Sequence, residues 1–333
     1  MNAISKLLLG GELDRKVLLG AERSTLMLAD DPLRQYSSFF MRLLAATVVA
    51  TAGIASDSAT TIIGAMLIAP LMSPMLGTAL ATAMGRPRQA LRTLALVVFG
   101  MALVVVASAC VTALIPVAAD METNSQVLCR VSPRLVDLII ALAAGFMAAL
   151  ASMRADIPDA VPGVAISASI VPPLCVVGAG IYEGVPSAAV GAFTLFFTNF
   201  LAIQVMGGLV YLLMGLGARR LSEVGAQARQ IWYALVALAM AVVVGLLFST
   251  SMDVLSVTQR ERQVQDVTAA WLDGSDYRVE GLEVDGEDVY VRIVGHGDVP
   301  DAQVLSDALD EKDVDVQSVS VSVLEEQRVV TGP

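Results

Sequence analysis

The chain has 333 residues, of which 56% are hydrophobic and 16% are charged, and its mean hydropathy is +0.71. Soluble domains contain about 25% charged residues, so this composition excludes an ordinary soluble protein and predicts an integral membrane protein. The net charge of −11 originates in residues 251–333, which contain 19 acidic and six basic side chains, whereas residues 1–250 contain 13 acidic and 15 basic ones. We therefore expect a membrane domain followed by a soluble acidic domain.

The histidine and cysteine content excludes several kinds of reactive site. The single histidine, His296, rules out a His-rich metal site and a His-Glu-x-x-His protease. The three cysteines are not at metal-ligand spacing, and no nucleophile-base pair or phosphate-binding Gly-x-x-x-x-Gly-Lys-Ser/Thr loop is found. We accordingly expect no metal, no cofactor, no nucleic-acid partner and no enzymatic activity.

The first 35 residues combine leucines with charges of both signs. This pattern fits one or two amphipathic helices at the cytoplasmic membrane interface. It fits equally a cytoplasmic helical arm that packs on the loops between spans.

Residues 36–252 contain seven apolar stretches of membrane-spanning length, so they form the predicted membrane domain. The predicted spans are 36–54, 58–84, 93–117, 135–153, 161–182, 188–216 and 231–251. With the amino terminus inside, the inner segments contain 13 Lys and Arg residues, and the short outer loops contain only Arg130 and Arg134. This bias predicts a multi-pass protein of the cell (inner) membrane, with a cytoplasmic amino terminus and an extracytoplasmic carboxyl-terminal domain.

Two of the predicted spans share a proline pattern. Gly64 and Pro74 are ten residues apart, as are Gly163 and Pro173, and the two pairs are separated by 99 residues. Each pattern lies in the second span of a set of three, which gives repeat 1 at about 36–118, repeat 2 at about 134–216 and a final span. Three crossings per repeat force the second copy to be inverted, as in many transporters.

The prolines indicate helices that are broken within the membrane, because proline removes a backbone donor and clashes with the preceding turn. Carbonyls freed in this way must face protein or water, and nearby serines add hydroxyls. The candidate ligand- or ion-binding residues are Gly64, Pro70, Ser73, Pro74, Gly163, Ser167, Ser169, Pro172, Pro173 and Asn199. The alternatives are that the prolines only kink their helices, that the small residues serve only close packing, or that a re-entrant hairpin replaces a span.

Other polar residues in or near the spans have simpler interpretations. For Gln204 we expect an interhelical hydrogen bond, while a structural role and a site role for Asn199 are evenly balanced. Asp137 follows Arg130 and Arg134 closely, which predicts an interfacial ion pair. The candidate ion-pair or interface residues are Asp57, Arg130, Arg134, Asp137 and Asp156.

Residues 255–330 follow the patterns of a small soluble α/β domain. Residues 259–272 and 301–310 are predicted helices, 277–284 and 288–294 are predicted strands joined through Asp285 and Gly286, and alternating valines from Val314 to Val323 predict a final strand. The predicted fold is thus an all-α polytopic membrane bundle of about seven spans, with an inverted 3+3 repeat plus one and broken Pro-containing helices, followed by an α-β-β-α-β domain.

Over about residues 37–216 the chain resembles the domain-of-unknown-function 389 family of hydrophobic membrane proteins. The strongest element is the run Ile62-Ile63-Gly64-Ala65-Met66-Leu67-Ile68-Ala69-Pro70-Leu71-Met72-Ser73-Pro74. Supporting elements are Arg130-Val131-Ser132-Pro133, the segment from Gly163 to Leu174, and Thr198-Asn199. Ser167 and Ser169 depart from the usually apolar family pattern. The resemblance implies an integral membrane fold and no particular activity.

These observations lead to two hypotheses of different classes. The first is a membrane transport protein or channel for a small ion or solute, with a midplane site between the two Pro-broken helices. The alternative is a non-transporting oligomeric membrane assembly whose acidic external domain binds or senses a partner. The expected partners are the lipid bilayer, a small ion or solute, and further copies of the chain in a homo-oligomer.

Overall fold

The computed structural model describes residues 15–28, 31–115, 121, 123–154, 156–157, 170–216, 223–285, 288–297, 299–311 and 318–325. The chain divides into two compact units, Met1–Phe248 and Ser249–Pro333. The helices of the first unit are α1 (Arg15–Thr25), α2 (Pro32–Ala55), α3 (Ala59–Ile68), α4 (Met72–Ala83), α5 (Pro87–Leu114), α6 (Ser125–Val131), α7 (Leu135–Ser152), α8 (Val171–Glu183) and α9 (Pro186–Leu213). The boundary between the units falls within α10 (Glu223–Trp271).

Several helices are long and apolar enough to cross a membrane. They are α2, α5, α7, α9 and residues Ala226–Ser249 of α10, and the bent pair α3 and α4 meets the same criterion as one broken span. Large apolar side chains on their outer faces are exposed, among them Phe99 (67%), Ile139 (65%) and Leu238 (65%). Such a surface fits contact with lipid rather than water. The prediction of a mainly helical protein with several membrane-length apolar helices is therefore confirmed.

Helix α8 has 13 residues and is therefore shorter than the membrane-length helices α2, α5, α7 and α9. It is the described part of the predicted span 161–182. Residues Val171 to Gly180 are all buried, so the helix has no face turned to lipid over this stretch.

Proline positions explain where several helices begin and end. Helix α3 ends at Ile68, two residues before Pro70, and α4 begins at Met72 after a bend of 50°. Pro74 lies in the first turn of α4, where its missing N–H has no intrahelical acceptor to lose. Pro172 and Pro173 occupy the same part of α8. Pro70 follows the end of α3, as expected of a helix break, whereas the expectation that Pro74 breaks a helix is wrong, because it lies inside the first turn of α4. Residues 158–169, which precede Pro172 and Pro173, lie outside the described part.

Helices α4 and α8 occupy equivalent places in the core of the first unit. Each packs against both long helices, α5 and α9. Helix α2 packs on α3, α5 and α8, α7 packs on α9, and α1 packs on α4. The two helices that follow the proline segments are therefore surrounded by the longer helices.

The second unit contains β1 (Tyr277–Asp285), β2 (Asp288–Gly295), α11 (Ala302–Glu311) and β3 (Ser318–Glu325). Strand β2 is central, with β1 antiparallel and β3 parallel to it. Asp285 pairs with Asp288, which leaves a two-residue connection as predicted, although residues 286–287 themselves lie outside the described part.

The sheet packs on two helices through one apolar core. Val289, Val291 and Ile293 alternate along β2 and are buried with Leu305 and Leu309 of α11 and with Val264, Val267, Leu272 and Tyr277. The order helix, strand, strand, helix, strand matches the prediction. The predicted separate helix at 259–272 is instead the end of α10, because the polar residues near 251 include no proline or glycine that would stop a helix.

Candidate functional site

A cavity of about 560 Å³ lies beside the start of α4, next to the break that follows α3. Met72, Ser73 and Leu76 line it from α4. The other lining residues are Val17, Gly20, Ala21, Ser24 and Thr25 of the α1 region, and Ala148, Ala151, Ser152, Arg154 and Ile157 at the end of α7. The cavity is therefore enclosed by three separate segments of the chain.

Ser73 connects the helix break to this cavity. Its backbone N–H donates to the Pro70 carbonyl at 3.3 Å, so the carbonyl that was expected to be free has a partner. The Ser73 side chain is half-buried and lines the cavity. Residues 69–71 are extended or turn-like rather than helical, which places backbone polar groups and a hydroxyl beside the cavity.

Hydroxyl groups from α1 and α7 also face this region. Ser24 Oγ and Thr25 Oγ1 donate to the Ala21 carbonyl at 3.2 and 2.6 Å. Ser152 Oγ lies 3.0 Å from the hydroxyl of the buried Tyr211. The lining can thus offer several hydroxyl oxygens to a small polar solute or cation.

Among the described lining residues, the single guanidinium belongs to Arg154, and a neighbouring carboxylate neutralises it. Arg154 Nη2 lies 2.6 Å from Asp156 Oδ2 and its Nε lies 2.9 Å from Asp156 Oδ1. This hydrogen bond holds the pKa of Asp156 below its usual value. The pair therefore adds polarity to the cavity without a large net charge.

The first turns of α4 and α8 are each tied to a long helix by a side chain that donates to a backbone carbonyl. Gln204 Nε2 of α9 donates to the Met75 carbonyl at 3.0 Å, which confirms its predicted interhelical bond. Ser108 Oγ of α5 donates to the Cys175 carbonyl at 2.7 Å, and Thr51 Oγ1 of α2 donates to Ser108 Oγ at 3.2 Å. These bonds fix both helix starts within the core.

Of the predicted ligand-binding residues, Ser73 lines the cavity, and Pro70 and Pro74 are buried beside it. Pro172 and Pro173 are buried at the start of α8. Gly64 is exposed, and a Cβ added there would meet nothing within 4 Å, whereas Asn199 Nδ2 donates to Leu195 O within its own helix at 2.9 Å. Gly163, Ser167 and Ser169 lie outside the described residues.

The candidate interface residues stabilise the ends of helices. Asp57, at a φ of 48°, accepts from Ser125 Oγ at 2.6 Å and from Gln126 N at 3.2 Å. These hydrogen bonds, that from Ser125 first, lower the pKa of Asp57. The first turn of α6 is thereby fastened to the turn after α2.

Asp137 and its neighbours differ from the predicted ion pair. Asp137 Oδ2 accepts from the backbone N–H of Arg134 at 2.7 Å, which caps α7. Arg130 Nη1 instead donates to the carbonyl and side-chain oxygens of Gln126. Burial lowers the pKa of Arg130.

Sequence reasoning missed the contribution of α1 and of the end of α7. A Cβ added at Gly77 of α4 would lie 2.2 Å from Thr25 O, so this glycine permits α1 to approach closely. Nothing in the pattern of residues 15–25 indicates that contact. Within the described ranges, no group of three or more His, Cys, Asp or Glu residues could hold a metal ion.

The segment that contains the helix break matches the model of a known sequence family. Residues 66–205 match the family described as domain of unknown function DUF389. The resemblance found in the sequence is thereby confirmed, and the match runs from Met66 in α3 to Val205 in α9, across the break and both helix starts.

The chain is also similar in sequence to an archaeal protein. The chain is 27% identical over 180 residues to an uncharacterized protein of Methanocaldococcus jannaschii, which covers 54% of this chain and 55% of that protein. The match thus spans about half the length of the relative. A comparison with solved structures found no match.

Proposed function

We propose that the chain is a membrane transport protein or channel for a small ion or solute, located in the cell (inner) membrane. The observation that carries the proposal is the cavity of about 560 Å³ that reaches Ser73 at a helix break. Broken helices with backbone beside a polar cavity are typical of solute and ion sites in transporters. The proposed pathway includes this cavity beside the start of α4, and the proposed midplane site lies between the two proline segments.

Helix bounds support the inverted repeat that this proposal includes. Helices α5 and α9 both have 28 residues, both begin with proline and start 99 residues apart. Helices α4 and α8 also start 99 residues apart, and glycines with positive φ, Gly85 and Gly184, precede the two long helices at the same offset. With three spans in each repeat, the second would lie inverted relative to the first.

The places where helices of repeat 1 cross helices of repeat 2 also support the inverted repeat. A Cβ added at Gly178 of α8 would lie 2.8 Å from the Cβ of Ser108 in α5, and one added at Gly207 of α9 would lie 3.0 Å from the Cβ of Ala79 in α4. The offset of 99 residues relates Gly178 to Ala79 and Ser108 to Gly207. Each helix that follows a proline segment therefore crosses the long helix of the other half at a pair of small residues.

The remaining parts of the proposal follow from the sequence. The excess of Lys and Arg in alternate loops supports a cytoplasmic amino terminus and an extracytoplasmic acidic domain. Gly207 and Gly208 pack within the protomer, against Ala79 and Tyr233 respectively. We propose a homo-oligomer as a separate part of the hypothesis. We also propose that the chain is not an enzyme.

The direct test is solute flux into vesicles that contain the purified protein. Ion or solute uptake is measured over a panel of small ions and neutral solutes for the wild type, Ser73→Ala and Pro70→Ala. Ser73→Ala removes a hydroxyl from the cavity, and Pro70→Ala allows α3 to continue toward α4, so both should reduce flux. Ser37→Ala, an exposed serine on α2 remote from the cavity lining, is the matched control and should retain wild-type flux.

Two results separate the alternatives. Wild-type vesicles indistinguishable from empty vesicles over the whole panel would favour the non-transporting assembly whose acidic domain binds or senses a partner. If Ser73→Ala and Pro70→Ala both show the same flux as the wild type, the transport hypothesis stands, but the pathway lies away from α3 and α4.

A further inference from the structure

A second pocket, of about 250 Å³, lies between the turn that joins α4 to α5 and the amino-terminal part of α10. We propose that this pocket binds the headgroup of an anionic phospholipid. The lining residues are Thr82, Gly85, Arg86, Pro87, Ala90, Leu91, Leu94, Ala228, Arg229 and Trp232. The site is independent of whether the chain transports a solute.

The charges of the pocket favour a negatively charged ligand. Of the lining residues that the structure describes, two are arginines, Arg86 and Arg229, and none is acidic. Arg86 Nη1 bonds to Glu22 Oε2 at 3.2 Å and to Gln89 Oε1 at 3.3 Å. In the part of the chain that the structure describes, its Nε and Nη2 groups have no protein acceptor, so they remain available to a phosphate.

The walls of the pocket favour a lipid over a free phosphate ion. Ala90, Leu91 and Leu94 form one apolar side, and Leu91 is 68% exposed, so the side continues onto the outer surface of α5. A soluble anion gains nothing from such a wall, whereas an acyl chain buries apolar area against it. The guanidinium groups and the apolar wall thus match the two halves of a phospholipid.

Trp232 supplies a further polar group at the pocket. Its ring is half-buried, and its Nε1–H has no hydrogen-bond partner among the described residues. Buried tryptophan N–H groups usually have an acceptor, and tryptophan is enriched at the level of lipid headgroups. A phosphate or glycerol oxygen bound beside the ring would provide the missing acceptor once the ring turned its buried N–H toward the pocket.

The position of the pocket is consistent with headgroup depth. It lies where α4 ends at Ala83 and α5 begins at Pro87, which is the end of two helices of the membrane-length bundle. Basic pockets between membrane helices at this level are recognised binding places for anionic lipid headgroups. The fold therefore places the arginines where a lipid phosphate would be.

The test measures thermal stabilisation and lipid retention of the full-length protein in a neutral detergent. Phosphatidylglycerol, phosphatidylcholine and inorganic phosphate are titrated separately, and lipids that remain bound are counted by native mass spectrometry. For the wild type we expect phosphatidylglycerol alone to raise the Tm and to remain bound. Arg229→Gln and Trp232→Phe should each raise the phosphatidylglycerol concentration for half-maximal stabilisation about tenfold, while keeping the unliganded fold.

Arg88→Gln is the matched control, because Arg88 is exposed, two residues from Arg86, and outside the lining. It should keep wild-type lipid affinity. An equal loss in Arg88→Gln would show diffuse surface attraction and overturn the proposal. Equal stabilisation by phosphatidylcholine would also overturn it, and so would saturation by millimolar inorganic phosphate, which would assign the pocket to a soluble anion.

Discussion

Replacing Gly178 with alanine tests a close helix crossing in the membrane unit, that of α8 with α5. A Cβ at this position in α8 would lie 2.4 Å from the Val105 carbonyl oxygen and 2.8 Å from Ser108 Cβ in α5. The carbonyl belongs to a helix backbone and cannot rotate away. Gly64→Ala in α3 is the matched comparison, because its Cβ would meet nothing within 4 Å.

The magnitude follows from three effects. Alanine in a helix interior is favoured over glycine by about 1 kcal/mol, and this gain applies to both variants. Overpacking at Gly178 costs about 1–3 kcal/mol. Displacement of Ser108 also weakens its bond to the Cys175 carbonyl, worth about 0.6 kcal/mol in a membrane protein. Since a rigid backbone receives the clash, we expect Gly178→Ala to lose about 2 kcal/mol and Gly64→Ala to gain about 0.5–1 kcal/mol.

The assay is thermal unfolding of both variants in the same detergent, together with size-exclusion chromatography to confirm that each is folded before heating. Gly178→Ala should unfold at a lower temperature than wild type, and Gly64→Ala at the same or a higher temperature. If the two variants have the same Tm, the close approach of α8 to α5 is not a determinant of stability and the reasoning is refuted.

Three further predictions concern the loops and the acidic unit. Asp57→Asn should lower the Tm at neutral pH. Because hydrogen bonds lower the folded pKa of Asp57, its stabilisation is present above about pH 4 and is lost as the pH falls through that folded pKa. The difference in Tm between wild type and variant should therefore disappear in acid. A gap that stays constant down to pH 2 would contradict this. A reporter enzyme that works only outside the cytoplasm, fused after Pro333, should be active. An inactive fusion, together with activity of a reporter that works only in the cytoplasm when fused at the same place, would overturn the proposed orientation. Residues 255–333 expressed alone should give a soluble domain with mixed α/β circular dichroism, because Val264, Val267 and Leu272 supply its core helix, and a disordered spectrum at moderate salt would contradict that.

The secondary structure of the acidic unit could be predicted from local pattern. The alternation of Val289, Val291 and Ile293 predicts a strand with one buried face from these residues alone, because successive side chains of a strand point to opposite faces. The parallel pairing of β3 with β2 does not come from the residues of β3, since it depends on the path of the chain through α11, which returns it to the same end of the sheet.

The candidate site could be predicted only in part, because it also depends on contacts between segments that are distant in the sequence. Pro70 marks the end of α3 because its ring disfavours helix in the residue before it. Pro74 has the same chemistry but lies in the first turn of α4, where proline is tolerated, and residue type alone cannot distinguish the two positions. The cavity itself depends on α1, whose approach to Gly77 is a contact between distant segments.

The burial of α8 has a consequence for how the protein is assembled in the membrane. At 13 residues the helix is about 20 Å long, and an isolated apolar helix of this length does not cross roughly 30 Å of hydrocarbon. Its residues from Val171 to Gly180 are buried on every side, chiefly by α5 and α9, and α9 follows it in the chain. Because α9 is made after α8, these residues become fully enclosed only once α9 is in place, so we expect the final packing of α8 to be a late step in assembly.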